Sequence, residues 1–216
     1  MKTSMERLEK WLSAHLPELH DDLAPGCAED ALAAFERQVG RTFPDDLKAL
    51  YRLHDGQTGA VNTGPFFGLT FLPLAQAQAH WASWKALVDE YSAEEMKEAS
   101  EFCKSAKPGA VKDVYANPYW IPFAYDYGGN HLGVDLDPAA RGTLGQVINF
   151  GRDEEERFVL AGSMGDFFEW LVDQLEAGNA AIRVEDDGGR SLNTKVPEQF
   201  HFLDSVASLF ASQRND

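Results

Sequence analysis

Residues 120–161 read WIPFAYDYGGNHLGVDLDPAARGTLGQVINFGRDEEERFVLA. This stretch decides the fold. Trp120 to Tyr125 reads as a strand, and Pro122 within it marks an edge position or a bulge. Gly128-Gly129-Asn130 is a turn. His131 to Leu136 then alternates with period two. Leu132, Val134 and Leu136 point one way, and His131, Gly133 and Asp135 point the other. Pro138 to Thr143 is another turn. Gln146 to Phe150 and Arg157 to Ala161 are two further strands, joined by the charged loop Gly151 to Glu156. The pattern is an antiparallel meander.

Helical patterns flank it on both sides. On the N-terminal side they run over residues 3–16, from Glu29 to Val39, and from Pro44 to a cap at His54-Asp55-Gly56. A loop and one or two short strands fill 57–73. Leu74 to Ser105 reads as two helices broken near Ser92, where Ser92 and Glu95 form a capping box. After the meander, Ser163 opens a helix with Asp166 three residues on, and Gly178 ends it. Ala180 to Val184 reads as a short strand, Glu185 to Gly189 as a turn, and Glu198 to Ala211 as a last helix. Helices, a meander and more helices imply an α+β class: an antiparallel or mixed sheet flanked by helices, covered on one face.

The chain of 216 residues is long enough to bury a core without disulfides or metal. Its 19 Lys and Arg against 35 Asp and Glu give a formal charge of −16. That balance argues against nucleic acid or an anionic membrane as partner and favours a basic one. From Arg152 to Asp187, eleven acids face three bases, which supplies −8 of the total. The run Asp153-Glu154-Glu155-Glu156 is its densest part, read either as a solvated rim or as a patch facing a basic partner. Cys27 and Cys103 form no CxxC, consistent with reduced thiols in a cytoplasmic protein. The N-terminus has no apolar signal-peptide region, and no segment reaches the length of a membrane helix.

Little of the sequence carries chemistry. There is no HExxH, paired CxxC, EF-hand loop or nucleophile elbow. Asp135-Leu136-Asp137 could place two carboxylates on one face to share a divalent cation, or Asp137 could start the turn at Pro138. Gly128-Gly129 joins two strands and lacks the helix N-terminus of a phosphate loop. The aromatics from Tyr115 to Tyr127 include side chains suited to a binding groove. The candidate binding residues are therefore Trp120, Tyr125, Asp126, His131, Asp135, Asp137, Asp153, Glu154, Glu155 and Glu156. No catalytic residue, resident metal or cofactor is assigned.

Two sets of residues carry a family resemblance. One is Phe35-Glu36, Gly40, Phe43-Pro44 and His54-Asp55-Gly56. The other is Trp120 to Ala124, Asp126, Gly129-Asn130, Asp135 to Pro138, Gly142, Gly145 to Ile148, and Val159 to Ala161 before Ser163. Together they resemble the Smi/Knr family of the SUKH superfamily, over roughly residues 25–178. The resemblance implies a SUKH-like single α+β domain with no established catalytic activity. On that basis 1–24 is an N-terminal helix, 25–178 the core domain and 179–216 a helical extension packed on it. Residues 92–116 look like an addition to a minimal domain. Bacterial relatives are predicted immunity proteins that neutralise toxins, and yeast members regulate cell-wall assembly. Without the long low-complexity flanks of the fungal regulators, the expected role is a bacterial immunity protein binding a basic toxin domain. The alternatives are a regulator or scaffold of cell-wall assembly and a metal-dependent enzyme using Asp126, Asp135 and Asp137. Oligomeric state is left open.

Overall fold

The computed structural model describes residues 1–186, 188–199 and 201–215. In chain order its elements begin with α1 (Lys2–His15), α2 (Pro17–Asp21), β1 (Leu23–Pro25), α3 (Glu29–Val39), α4 (Asp45–Leu53) and β2 (His54–Gln57). Next come β3 (Thr70–Phe71), α5 (Leu74–Glu90), α6 (Ala93–Ala99) and β4 (Lys104–Ser105). The meander follows as β5 (Trp120–Tyr125), β6 (Asn130–Asp135), β7 (Gln146–Gly151), β8 (Glu156–Arg157) and β9 (Val159–Ala161). The chain finishes with α7 (Met164–Glu176), β10 (Ala180–Val184), β11 (Arg190–Thr194), α8 (Phe202–Leu209) and a 3-10 turn, Ala211–Asn215. The fold is a single α+β domain with a five-stranded sheet of order β3-β5-β6-β7-β9, antiparallel throughout. No described helix is long and apolar enough to cross a membrane.

The meander follows the period-two pattern. Pro122 sits at a bulge between Pro122 and Ala124, not at an edge, because β5 lies between β3 and β6. Two-residue β3 pairs only with Ala124 and Tyr125, so the missing N–H of Pro122 breaks no bond to it.

The sheet departs from expectation in being covered on both faces. Every residue of β6 and β7 is buried. One face carries Leu132, Val134, Leu136, Ile121, Phe123 and Val147 into the main core, where Phe66, Phe167, Phe168 and Leu171 meet them. The other carries Trp120, Ile148 and Phe150 into a second cluster with Trp84, Val111 and Ala116. Residues 92–116 supply much of this second cover. A parallel pair of β4 with β8 ties that segment to the hairpin. The alternation of β6 is real, but its polar side meets protein, not water.

Local chemistry explains the helix ends. Gly40 takes φ +72° and caps α3. Ser92 and Glu95 form the complete capping box of α6. The Ser163 hydroxyl accepts the Asp166 N–H at 3.1 Å to open α7. Asp46 at the start of α4 accepts the Gly165 N–H at 2.9 Å, so the first turns of two helices are tied together. Pro44 precedes the first helical residue.

Gly56 does not cap α4. The chain passes from Leu53 directly into β2, which pairs with β1, and Gly56 holds φ +71° inside the strand. A Cβ there would lie 2.2 Å from the Pro73 nitrogen, so a close backbone approach demands glycine. The expected last helix begins only at Phe202, and β11, which pairs with β10 across five residues, was not foreseen. Asp187 of the expected acidic turn and Phe200 of the expected helix lie outside the described residues.

Phe167 touches the rings of Phe66, Phe123, Phe168 and Trp170 and is fully buried. Phe167→Ala is expected to lower stability by about 3–5 kcal/mol, read as a lower urea midpoint at unchanged slope.

Candidate functional site

The sheet's second face gathers several of the residues that sequence singled out. Trp120 and Asp135 are cross-strand partners, as are Tyr125 and His131. His131 is 2% exposed. Its ring stacks between Tyr125, at 4.9 Å, and Phe150, at 5.2 Å. Its Nε2 lies 2.9 Å from Nδ1 of His80 on α5, and its own Nδ1 has no partner among the described residues. Burial, with His80 beside it, pushes the His131 imidazole down to about 3, so it stays neutral. Burial also lowers His80.

Asp135 is fully buried. It accepts the Asp137 N–H and a Gln146 Nε2 hydrogen, both at 2.9 Å. Burial pushes its carboxyl up to about 6 against those bonds. Asp137 turns elsewhere. Its Oδ2 accepts from Lys112 at 2.6 Å and from Asn117 at 3.0 Å, and these partners outweigh burial to hold it below the usual carboxylate range. Asp126 closes the β5–β6 turn by accepting the N–H groups of Gly128 and Asn130 and the Asn130 amide. The three carboxylates thus turn to different side-chain partners, with Asp135 and Asp137 linked only through the Asp137 N–H. Among the described residues, no group of three or more His, Cys, Asp and Glu is arranged to hold a metal.

The acidic run 153–156 is divided in the same way. Asp153 sits with Arg152 and Asn130, which hold it below its ordinary value. Glu154 folds inward to accept from Asn149, and burial pushes it up to about 7 against that bond and nearby Arg157. Glu156 pairs with Arg214 and Lys104, which hold it low. Only the Glu155 side chain points out with no such partner among the described residues; its backbone carbonyl accepts from Arg157 Nη1 at 2.9 Å. Arg157 is itself fully buried, with Nη2 on the Tyr115 carbonyl and its guanidinium over the Trp120 ring.

Sequence reasoning missed a cleft built from loops distant in the chain. The loop at 60–68, the turn at Tyr127 and the β10–β11 hairpin enclose a cleft with lobes of about 680 Å³ and about 180 Å³. Asn62, Ser191 and Asn193 line both lobes, so the two adjoin. Tyr127, 69% exposed, stands at the smaller lobe. Its position in the aromatic run was one signal, and the candidate Asp126 beside it, which also lines this lobe, was another.

A family model described as the SMI1 / KNR4 family (SUKH-1) matches residues 26–170. The chain belongs to the SMI1/KNR4 family. Several fungal members align over most of it. The glucan synthesis regulatory protein of Neurospora crassa is 31% identical over 82% of the chain. The cell wall biosynthesis/cell cycle regulator smi1 of Schizosaccharomyces pombe is 31% identical over 93%. The cell wall assembly regulator SMI1 of Saccharomyces cerevisiae is 32% identical over 83%. The chain spans 38% of the first of these and 41% of each of the other two.

These SMI1/KNR4 relatives overturn the expectation of a toxin-neutralising immunity protein, because they are named as regulators of wall assembly or glucan synthesis. The missing flanks that favoured the bacterial role carry no weight, since the chain matches only part of each relative.

Glu154 gives a test of this packing. Its native carboxyl keeps a proton that the unfolded chain releases at about 4.5, so this group's contribution to stability falls as pH rises from about 4.5 to about 7 and is level above. Glu154→Gln keeps an acceptor for Asn149 and removes the titration. The variant is expected to match the parent near pH 4.5 and to gain on the order of 1 kcal/mol over it by pH 8, read by urea denaturation across that range.

Proposed function

We propose that this SMI1/KNR4 chain is a regulatory module of cell-wall assembly that acts by binding a protein partner, with no catalysis of its own. One observation carries the reading. The similarity to the fungal wall regulators covers 82–93% of the chain, and so extends beyond the family core at 26–170. The chemistry of the interior supports it. The two groups with strongly displaced protonation on the sheet, His131 and Asp135, are shut from solvent and held by neighbours, so neither reaches a substrate. A general acid or base must come within hydrogen-bond reach of the reacting atom.

Deletion of the gene in its source organism, with growth scored on a wall-binding dye and wall glucan measured, tests the reading. Raised dye sensitivity and altered glucan content, both reversed by the restored gene, are expected. Unchanged growth and glucan would contradict it.

A further inference from the structure

The two-lobed cleft beside the β10–β11 hairpin has chemistry that the rest of the molecule does not use. Its seam is built closely. Thr63 Oγ1 accepts the Leu192 N–H at 3.1 Å, and a Cβ on Gly68 would lie 2.7 Å from the Leu192 carbonyl oxygen. The loop is therefore packed directly on β11 at the wall of the cleft. Phe67 and Tyr127, at φ +49° and +63°, are the non-glycine residues with positive φ among those described, and both line the smaller lobe. Left-handed backbone at aromatic residues costs energy and persists where the surrounding structure imposes it. At Phe67 the ring is buried against Trp170 and Phe202. At Tyr127 the same backbone state sets the ring out into solvent.

The lining chemistry selects among ligand classes. Arg183 is committed to Glu198 at 2.7 Å, and Arg190 to Glu18 and the His15 carbonyl. With both cations neutralised and a chain charge of −16, a polyanion finds no counter-charge here. Glu18 and Glu185 are held by Arg190 and Ser191. In the smaller lobe Asp126 is held by Gly128 and Asn130, and His201 Nδ1 accepts the Leu203 N–H, whereas the side chains of Asn62 and Asn193 and the Tyr127 hydroxyl make no hydrogen bond within the described residues. An amide both donates and accepts, as a sugar hydroxyl does. An exposed aromatic face beside such groups presents an apolar plate with a polar tip. We propose that this cleft binds a neutral oligosaccharide, with Tyr127 against the face of one sugar ring and Asn62 and Asn193 on its hydroxyls. The choice of a glucan as the sugar rests on the wall-regulator reading above; the site itself rests on the cleft.

The purified chain, isotope-labelled, is titrated with laminarihexaose and, in parallel, with maltohexaose and N-acetylchitohexaose, and amide shifts are followed by NMR. Saturable shifts at Asn62, Tyr127, Ser191 and Asn193 with at least one of the three are expected. Tyr127→Gly suits the left-handed backbone, so it keeps the fold while removing the ring. It is expected to weaken binding by about tenfold or more, as is Asn193→Ala. No saturable shift with any of the three sugars, or binding equal in parent and variants, would overturn the site. Binding is read on the purified chain and wall tolerance in the strain. Absent binding with a clear wall phenotype rejects the cleft alone, and binding with no wall phenotype supports the cleft while rejecting the regulatory reading.

Discussion

Burial of both faces of the β5–β6–β7 sheet is the constraint on which the rest of the structure depends. An antiparallel sheet can leave one face in water, but here Trp120, Ile148 and Phe150 need an apolar cover as much as Leu132 and Val134 do. Trp84, Leu87 and Val88 of α5 and the segment from α6 to Ala116 supply it together, the latter fastened through β4 to β8. Once that face is dry, each polar group on it must find a partner inside the protein or remain neutral. Asp135 leans on Gln146, His131 on His80, and Arg157 on backbone carbonyls and an indole face. Gly133 belongs to the same constraint, because a Cβ there would lie 2.4 Å from the Phe150 ring.

Much of this was legible in the residues. The alternation of Leu132, Val134 and Leu136 against His131, Gly133 and Asp135 placed both faces of β6 correctly. The caps at Gly40, Ser92 and Ser163 are local chemistry, and local chemistry is readable from neighbours in sequence. The second cover was not legible. Residues 104–117 carry no long period, and their cover depends on pairing with β8, some fifty residues further on. The strand β11 hid for a similar reason: Arg190, Ser191, Leu192, Asn193 and Thr194 offer one large apolar side chain, and the pairing with β10 is what defines them.

The candidate site was legible in composition and obscured in geometry. Trp120, His131 and Asp135 do converge, but on a dry face where they serve packing. Asp126 and Asp137, which a shared cation would have joined to Asp135, are turned to separate partners. The run Asp153 to Glu156 looked like one acidic surface because its partners, Asn130, Asn149 and Arg214, lie elsewhere in the chain. Asn62, Tyr127 and Asn193 are ordinary residues in unrelated segments, and only the folded loops bring them to one cleft. The loops that carry them stand at the surface, away from the sealed polar groups of the sheet.

The central claim is that the sheet and its second cover form one closed unit. Native-state amide hydrogen exchange in dilute denaturant measures this most directly, because it reads the opening free energy strand by strand. The account predicts that amides of β6, β7 and the buried positions Ala110, Val111 and Ala116 exchange together, at the free energy of global unfolding. Exchange of Ala110, Val111 and Ala116 through a lower-energy opening, with β6 exposed while the main core stays folded, would contradict it.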